Sequence, residues 1–326
     1  MIAATPGRSL PWIPVLLAVC WGLNWPIVKI ILGAVPPFTL RWFGLGAGGL
    51  LLLAFALGKH WTAGVARPAA NARSGTASGA ASGARSGAAF IWPTQWPRLI
   101  VAGLLNVAAF NLCTAFAQLS TSTSRASVLT YTMPMISAVM AWAWLGERPD
   151  RRRGLALLLG SAGIALLAWP LLQRLAAGEL DSLALRGLAM PLFAASAWAA
   201  GTVFVKRFPI AGDRIANTGW QLLIGAACGA VGAVIAGEHW PAVIPWPVIA
   251  ALAYHVIVAT ALAYSLWFIL LDHFSAGVAS LTTLAVPVLG VIGAMALVGD
   301  RPSALDWAGF ALVLGGAGLV VVRLRR

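Results

Sequence analysis

The sequence predicts an all-α membrane protein of ten transmembrane helices, arranged as two inverted five-helix repeats. Three observations carry that expectation. Hydrophobic residues make up 60% of the chain and charged residues 10%, against about 45–50% and about 25% in a soluble domain. So few charges cannot cover a water-exposed surface, and the surrounding solvent must be lipid. Apolar stretches of about 20 residues, the length that crosses the hydrocarbon core, recur along the whole chain. Finally, the chain is written twice. Pro134 is followed twelve residues later by Gly146-Glu147-Arg148-Pro149, and Pro287 twelve residues later by Gly299-Asp300-Arg301-Pro302. A fixed internal period of this kind marks a duplication.

Taken in order, the helices fall near 11–32, 37–57, 98–118, 125–145, 152–171, 186–206, 214–236, 247–271, 276–298 and 304–323. The first could be mistaken for a signal peptide. However, Pro14, Ala18, Trp21 and Lys29 recur 177 positions later as Pro191, Ala195, Trp198 and Lys206, well inside the chain, so the first helix is read as retained. The Pro134 and Gly146 blocks recur at 153, so the first half holds 24 extra residues, and the Ser/Gly/Ala run at 62–90 supplies them. That run cannot bury enough apolar surface to offset its ordering entropy, and it is expected as a disordered cytoplasmic insertion. The first repeat then covers 10–171 and the second 184–323.

The net charge of +13 does not point to nucleic acid, because the excess is Arg placed between apolar segments, as cytoplasmic loops require. With both termini inside, the inner loops hold 16 Lys and Arg. The outer loops hold four: Arg125, Arg174, Arg186 and Arg301. The expectation is a multi-pass inner-membrane protein with both termini cytoplasmic. Its partners are the lipid bilayer and a small molecule, and monomer and homodimer both stay open. Five crossings per repeat force the halves into opposite orientations, which is the architecture of alternating access.

Several residues stand out as candidates. Pro134 and Pro287 interrupt apolar spans at equivalent places, where a freed carbonyl loosens the turn before the ring; each reads as a gating kink or a structural one. Lys29 and Arg41 flank the first outer turn. Intramembrane charge marks a site by default, here an anion-attracting one, while snorkelling to the interface is the plainer reading. The deeper polar side chains are Asn24, Asn106, Asn111, Gln118, Tyr131, Asn217, Gln221, His255 and Tyr264. Each either bonds a neighbouring helix or faces a site.

No Asp or Glu falls in the middle of a span. Proton coupling therefore rests on His255, whose imidazole titrates near neutrality, or on Asp272 at the end of the eighth helix; a facilitator without a coupling ion explains the same residues. Cys20, Cys113 and Cys228 stand singly, without metal or redox spacing, and nothing implies a cofactor. The chain lacks a paired-carboxylate, His/Cys-cluster or nucleophile–base set. It reads as no enzyme, with a membrane-embedded transferase the weakest alternative.

Trp21-Gly22-Leu23-Asn24-Trp25 in the first helix, Arg41 early in the second and the two Pro…Gly-Glu/Asp-Arg-Pro blocks resemble the drug/metabolite transporter superfamily, in its ten-helix branch with two EamA domains. The resemblance spans nearly the whole chain outside 62–90. It implies a secondary transporter, often an exporter of amino acids or other small metabolites, with a central cavity between the halves. It also implies that the helices of Asn24, Asn111, Tyr131 and Tyr264 line that cavity. Trp21 and Trp198, which are repeat partners, are the candidate apolar walls, and His255 joins the candidate lining. The expected function is export of a small polar metabolite such as an amino acid by alternating access. A lipid or lipid-linked sugar flippase is the alternative.

Overall fold

The computed structural model describes residues 12–74, 95–147, 150–179, 181–273 and 276–321, and among these it is helical throughout, without strands. Ten rods follow one another: α1 (Trp12–Leu32), α2 (Pro37–Ser74), α3 (Trp96–Ser120), α4 (Thr123–Leu145), α5 (Arg151–Ala176), α6 (Ser182–Arg207), α7 (Arg214–Ala236), α8 (Trp246–Trp267, continued by helix to His273), α9 (Ala276–Leu297) and α10 (Ala304–Val321). The first eight are each long and apolar enough to cross a bilayer. The last two are apolar helices of 22 and 18 residues, about 33 and 27 Å at 1.5 Å per residue.

The main pairings are α2 with α7, α5 with α10, α4 with α9, α1 with α9, α4 with α6, α3 with α6 and α7, and α8 with α1 and α2. Adding or subtracting five in each label maps this set onto itself. The α1–α9 pair becomes α6–α4, α3–α6 becomes α8–α1, α3–α7 becomes α8–α2, and the first three pairs return to themselves. Lipid supplies no hydrophobic drive between helices, so close backbone approach at small residues must do the joining. Gly49 and Gly219 do this at the α2–α7 crossing: a Cβ on either would meet the other's carbonyl oxygen at 2.9 and 3.1 Å. Gly163 and Gly309 do the same at the α5–α10 crossing, at 2.9 and 3.3 Å.

The helix ends repeat as well. Gly146 and Gly299 take positive φ, 71° and 72°, the left-handed cap that glycine adopts without strain. The following amides reach back to equivalent carbonyls, Glu147 N to Ala141 O at 3.3 Å and Asp300 N to Ala294 O at 3.2 Å. Asp150 then caps α5 by accepting from Arg153 N at 2.8 Å, and Ser303 caps α10 by accepting from Asp306 N at 3.2 Å.

Three features depart from simple rods. α2 runs on to Ser74, through the first part of the segment expected to be unstructured. Residues 62–74 hold five Ala and two Arg, good helix formers, but also Gly64 and Pro68, which are poor ones, so the segment continues a helix already nucleated in the bundle rather than one set by its own propensity; residues 75–90 lie outside the described residues. α4 is broken: helix Thr123–Thr130 stops, Tyr131 and Thr132 form a turn, and Met133–Leu145 restarts with Pro134 in its first turn. Pro287 instead lies inside an unbroken α9. Finally, α3 and α8, which are equivalent in the two halves, each contain a π-helical stretch, Gly103–Ala109 and Tyr254–Leu262.

Candidate functional site

The bundle forms a partly open cavity of about 420 Å³, within the range of small-molecule sites. Trp21, Asn24, Asn111, Tyr131, Trp198, His255 and Tyr264 all line it, as do Arg41 and Pro134. Two other candidates do not. Lys29 sits in the last turn of α1 and its Nζ donates to the backbone oxygen of Gln118, so its charge caps the C-terminal end of α3. Pro287 is buried in α9 away from the lining.

One wall is aromatic and built by α1 and α8. Trp21 donates from Nε1 to the carbonyl oxygen of Ala259 at 3.1 Å, a group in the wide turns of the π segment. That bond fixes the indole, which stands edge-on to Tyr264 with centroids 5.8 Å apart and lies 5.6 Å from Trp267. Tyr264 and Trp267 are three residues apart and so share a helix face. On another side, Phe110 of α3 and Trp198 of α6 meet at a tilt of 56° with centroids 4.9 Å apart.

The polar lining is held from behind. His255 Nδ1 lies 2.8 Å from Asn24 Oδ1. With the amide oxygen presented, the imidazole donates from Nδ1 and Nε2 is left an acceptor without a protein partner. Gly44 makes room for the ring, since a Cβ there would lie 2.9 Å from Nε2. Thr260 Oγ1 donates back to His255 O at 2.9 Å, a reach of five residues that suits π-helical spacing. The break in α4 puts Tyr131 at the cavity, and neighbouring hydroxyls take up its carbonyls: Thr130 Oγ1 donates to Ala126 O at 2.7 Å and Thr132 Oγ1 to Leu129 O at 2.8 Å.

Among the described residues, Arg41 is the one cation of the lining. It is 2% exposed, and its guanidinium is oriented by neutral oxygens: Nε donates to Asn111 O at 2.9 Å and one terminal nitrogen to Thr114 Oγ1 at 3.4 Å. Asn111 turns its own amide nitrogen back to Val107 O at 3.0 Å, leaving its amide oxygen for the cavity. Among the described residues no carboxylate lines the cavity or pairs with Arg41.

Sequence reasoning passed over Trp25, Thr114 and Trp267, which also line the cavity. Trp25 and Trp267 carried a usable signal, lying one helical turn from Trp21 and Tyr264. Thr114 carried none. Of the other deep polar residues, Gln118 lines the cavity. Asn217 instead ties a loop through Ala211 O at 3.1 Å, and Asn106 packs against Gly201. The side chain of Asp272 lies outside what is described.

Comparison with known proteins fits this architecture. The chain is 25% identical to the uncharacterized transporter YvbV of Bacillus subtilis over 309 residues, 93% of this chain and 88% of that one. It is 24% identical to a probable amino-acid metabolite efflux pump of Escherichia coli over 321 residues, 95% and 94% of the two chains. A crystal structure with 22% identity superposes with a TM-score of 0.56 over 94% of both chains, which speaks for the fold. The profile of the EamA-like transporter family matches residues 10–169 and 185–322. With nearly its whole length matched, the chain belongs to the EamA-like transporter family, within the drug/metabolite transporter superfamily, and is a multi-pass membrane transporter.

Proposed function

We propose that this protein exports a small metabolite of amino-acid type across the inner membrane, by alternating access between two inverted five-helix halves, 10–171 and 184–323. The observation that carries the reading is a cavity into which both halves send equivalent residues, Trp21 with Trp198 above all. Its groups suit a small polar solute. Amides, hydroxyls and one imidazole offer hydrogen bonds, and the aromatic wall takes apolar surface. The E. coli relative named as an amino-acid metabolite efflux pump supports the substrate class and the direction. The self-mapping helix pairs support the repeat.

Counterflow in proteoliposomes with a panel of labelled amino acids tests the reading. Asn24→Ala and Tyr264→Ala should each lower flux of a transported solute roughly fivefold, the effect of one net hydrogen bond of about 1 kcal/mol, while protein levels hold. Unchanged flux in both variants would put the path elsewhere. The reading also places both termini in the cytoplasm, on the Lys and Arg distribution. Alkaline phosphatase fused after Arg174 should then be active and after Arg207 inactive, and the reverse pattern would overturn the orientation.

A further inference from the structure

We propose that Arg41 is the receptor for a carboxylate on the cargo, so that this transporter selects monocarboxylates carrying an apolar or aromatic group and rejects neutral polar solutes of the same shape. The proposal rests on the exporter reading and narrows its substrate class.

The argument starts from an imbalance of charge. Arg41, 2% exposed as a residue, sits in the wall of a cavity within the membrane-spanning bundle. Buried charges are retained where they are paired, and Arg stays ionised under all ordinary conditions. Yet the partners of Arg41 are a backbone carbonyl and a hydroxyl, both neutral, and no described carboxylate is within ion-pair reach. The other polar lining groups, such as Asn24, Thr260 and His255, offer no negative charge. The two bonds to α3 hold the guanidinium in a fixed orientation. A planar fork held this way matches a carboxylate in two-pronged geometry, and a Lys ammonium would not reproduce it.

Lys29 makes the contrast. Its charge, equally intramembrane in sequence, is spent on the Gln118 carbonyl and does not line this cavity. The remainder of the cargo meets Trp21, Tyr264 and Trp267. Those rings accept apolar surface and also tolerate an α-ammonium over their faces, so both an α-amino acid and a simple carboxylic acid fit.

The test uses the full-length protein in lipid nanodiscs and proteoliposomes, with four probes of one shape: L-phenylalanine, 3-phenylpropionate, L-phenylalaninamide and phenethylamine. The two carboxylates should raise the thermal midpoint of the wild type in a saturable way, and the amide and amine should not. Arg41→Gln should need at least about 30-fold more of either carboxylate for the same shift, the scale of truncating one partner of a buried charge pair. Its midpoint without probe should not fall, because an uncompensated charge has been removed. Arg41→Lys should recover part of the response. The proposal is overturned if the amide stabilises the wild type as well as the acid does, if Arg41→Gln keeps the carboxylate response, or if no carboxylate stabilises the wild type. Should Arg41→Gln fail to fold, the acid–amide comparison on the wild type still decides. Flux of the amide at the rate of the acid would spare the exporter reading and overturn the carboxylate site. Binding of carboxylates without flux of any probe would spare the site and overturn the exporter reading.

Discussion

The turn after α4 and the turn after α9 share one backbone and differ in what their side chains hold. Both begin with a left-handed glycine and a six-residue return bond. After α9, Asp300 accepts from Ser124 N at 2.8 Å and from Ser124 Oγ at 2.9 Å, so its carboxylate caps the start of α4 from across the bundle. Asp306, beside it, accepts from Arg125 and from Ser303 N and Oγ at 2.8 Å. After α4, Glu147 pairs with Lys206, whose side chain is 58% exposed. The positions equivalent to Ser124 and Arg125 are Gly277 and Val278, and the equivalent of Asp306 is Arg153, so the second half has no side chains with which to repeat the tie. Glu238 adds another tie at the end of the bundle that carries the α1–α2 and α9–α10 turns, accepting from Thr39 N at 2.7 Å and Phe38 N at 3.3 Å. The two turns share a frame, and a few differing positions give one of them partly buried carboxylate ties where the other carries the more exposed Glu147–Lys206 pair.

The two ends should therefore respond unequally. The largest effect is expected from Asp306→Ala, which leaves Arg125, with a side chain 27% exposed, without its counter-charge and frees the Ser303 groups. A loss of about 2–4 kcal/mol of stability is expected, read from the thermal midpoint in detergent. If it costs no more than breaking the Glu147–Lys206 pair, the contrast between the ends is wrong. A smaller and kinetic effect is expected from the prolines. Pro134→Ala permits helix to re-form through the Tyr131–Thr132 turn and should lower turnover several-fold with little change in half-saturation. Pro287→Ala, in a helix already continuous, should change turnover less than twofold; equal effects would remove the break in α4 from the mechanism. The smallest effect belongs to Glu147→Gln, below about 1 kcal/mol and fading with salt, as exposed pairs do.

Much of this was legible in the sequence, and the reasons can be named. Lipid imposes strong rules on composition and length, so the ten helices came out in place, with boundaries within about five residues except at the end of α2. Side chains such as Asn24, Tyr131 and His255 stood out because polar groups are rare at that depth. What was not legible depended on neighbours far along the chain. Lys29 and Arg41 look alike in sequence, and only the approach of α3 separates a charge spent on a carbonyl from one facing a cavity. Pro134 and Pro287 occupy equivalent positions with Ser and Thr before both, and only α4 is broken. The continuation of α2 to Ser74 was hidden because low complexity was read as disorder, although alanine is also the best helix former.

The π-helical stretch of α8 has a consequence for insertions and deletions. Its turns close over five residues instead of four, so Tyr254–Leu262 holds about one residue more than an α-helix of the same rise. A one-codon deletion there need not interrupt the helix, since the segment can relax to α-form around the loss. A one-codon insertion just after it has no such slack, and it would turn Tyr264 and Trp267 by about 100° relative to Trp21. The reading frame of the aromatic wall is thus buffered against shortening and unprotected against lengthening.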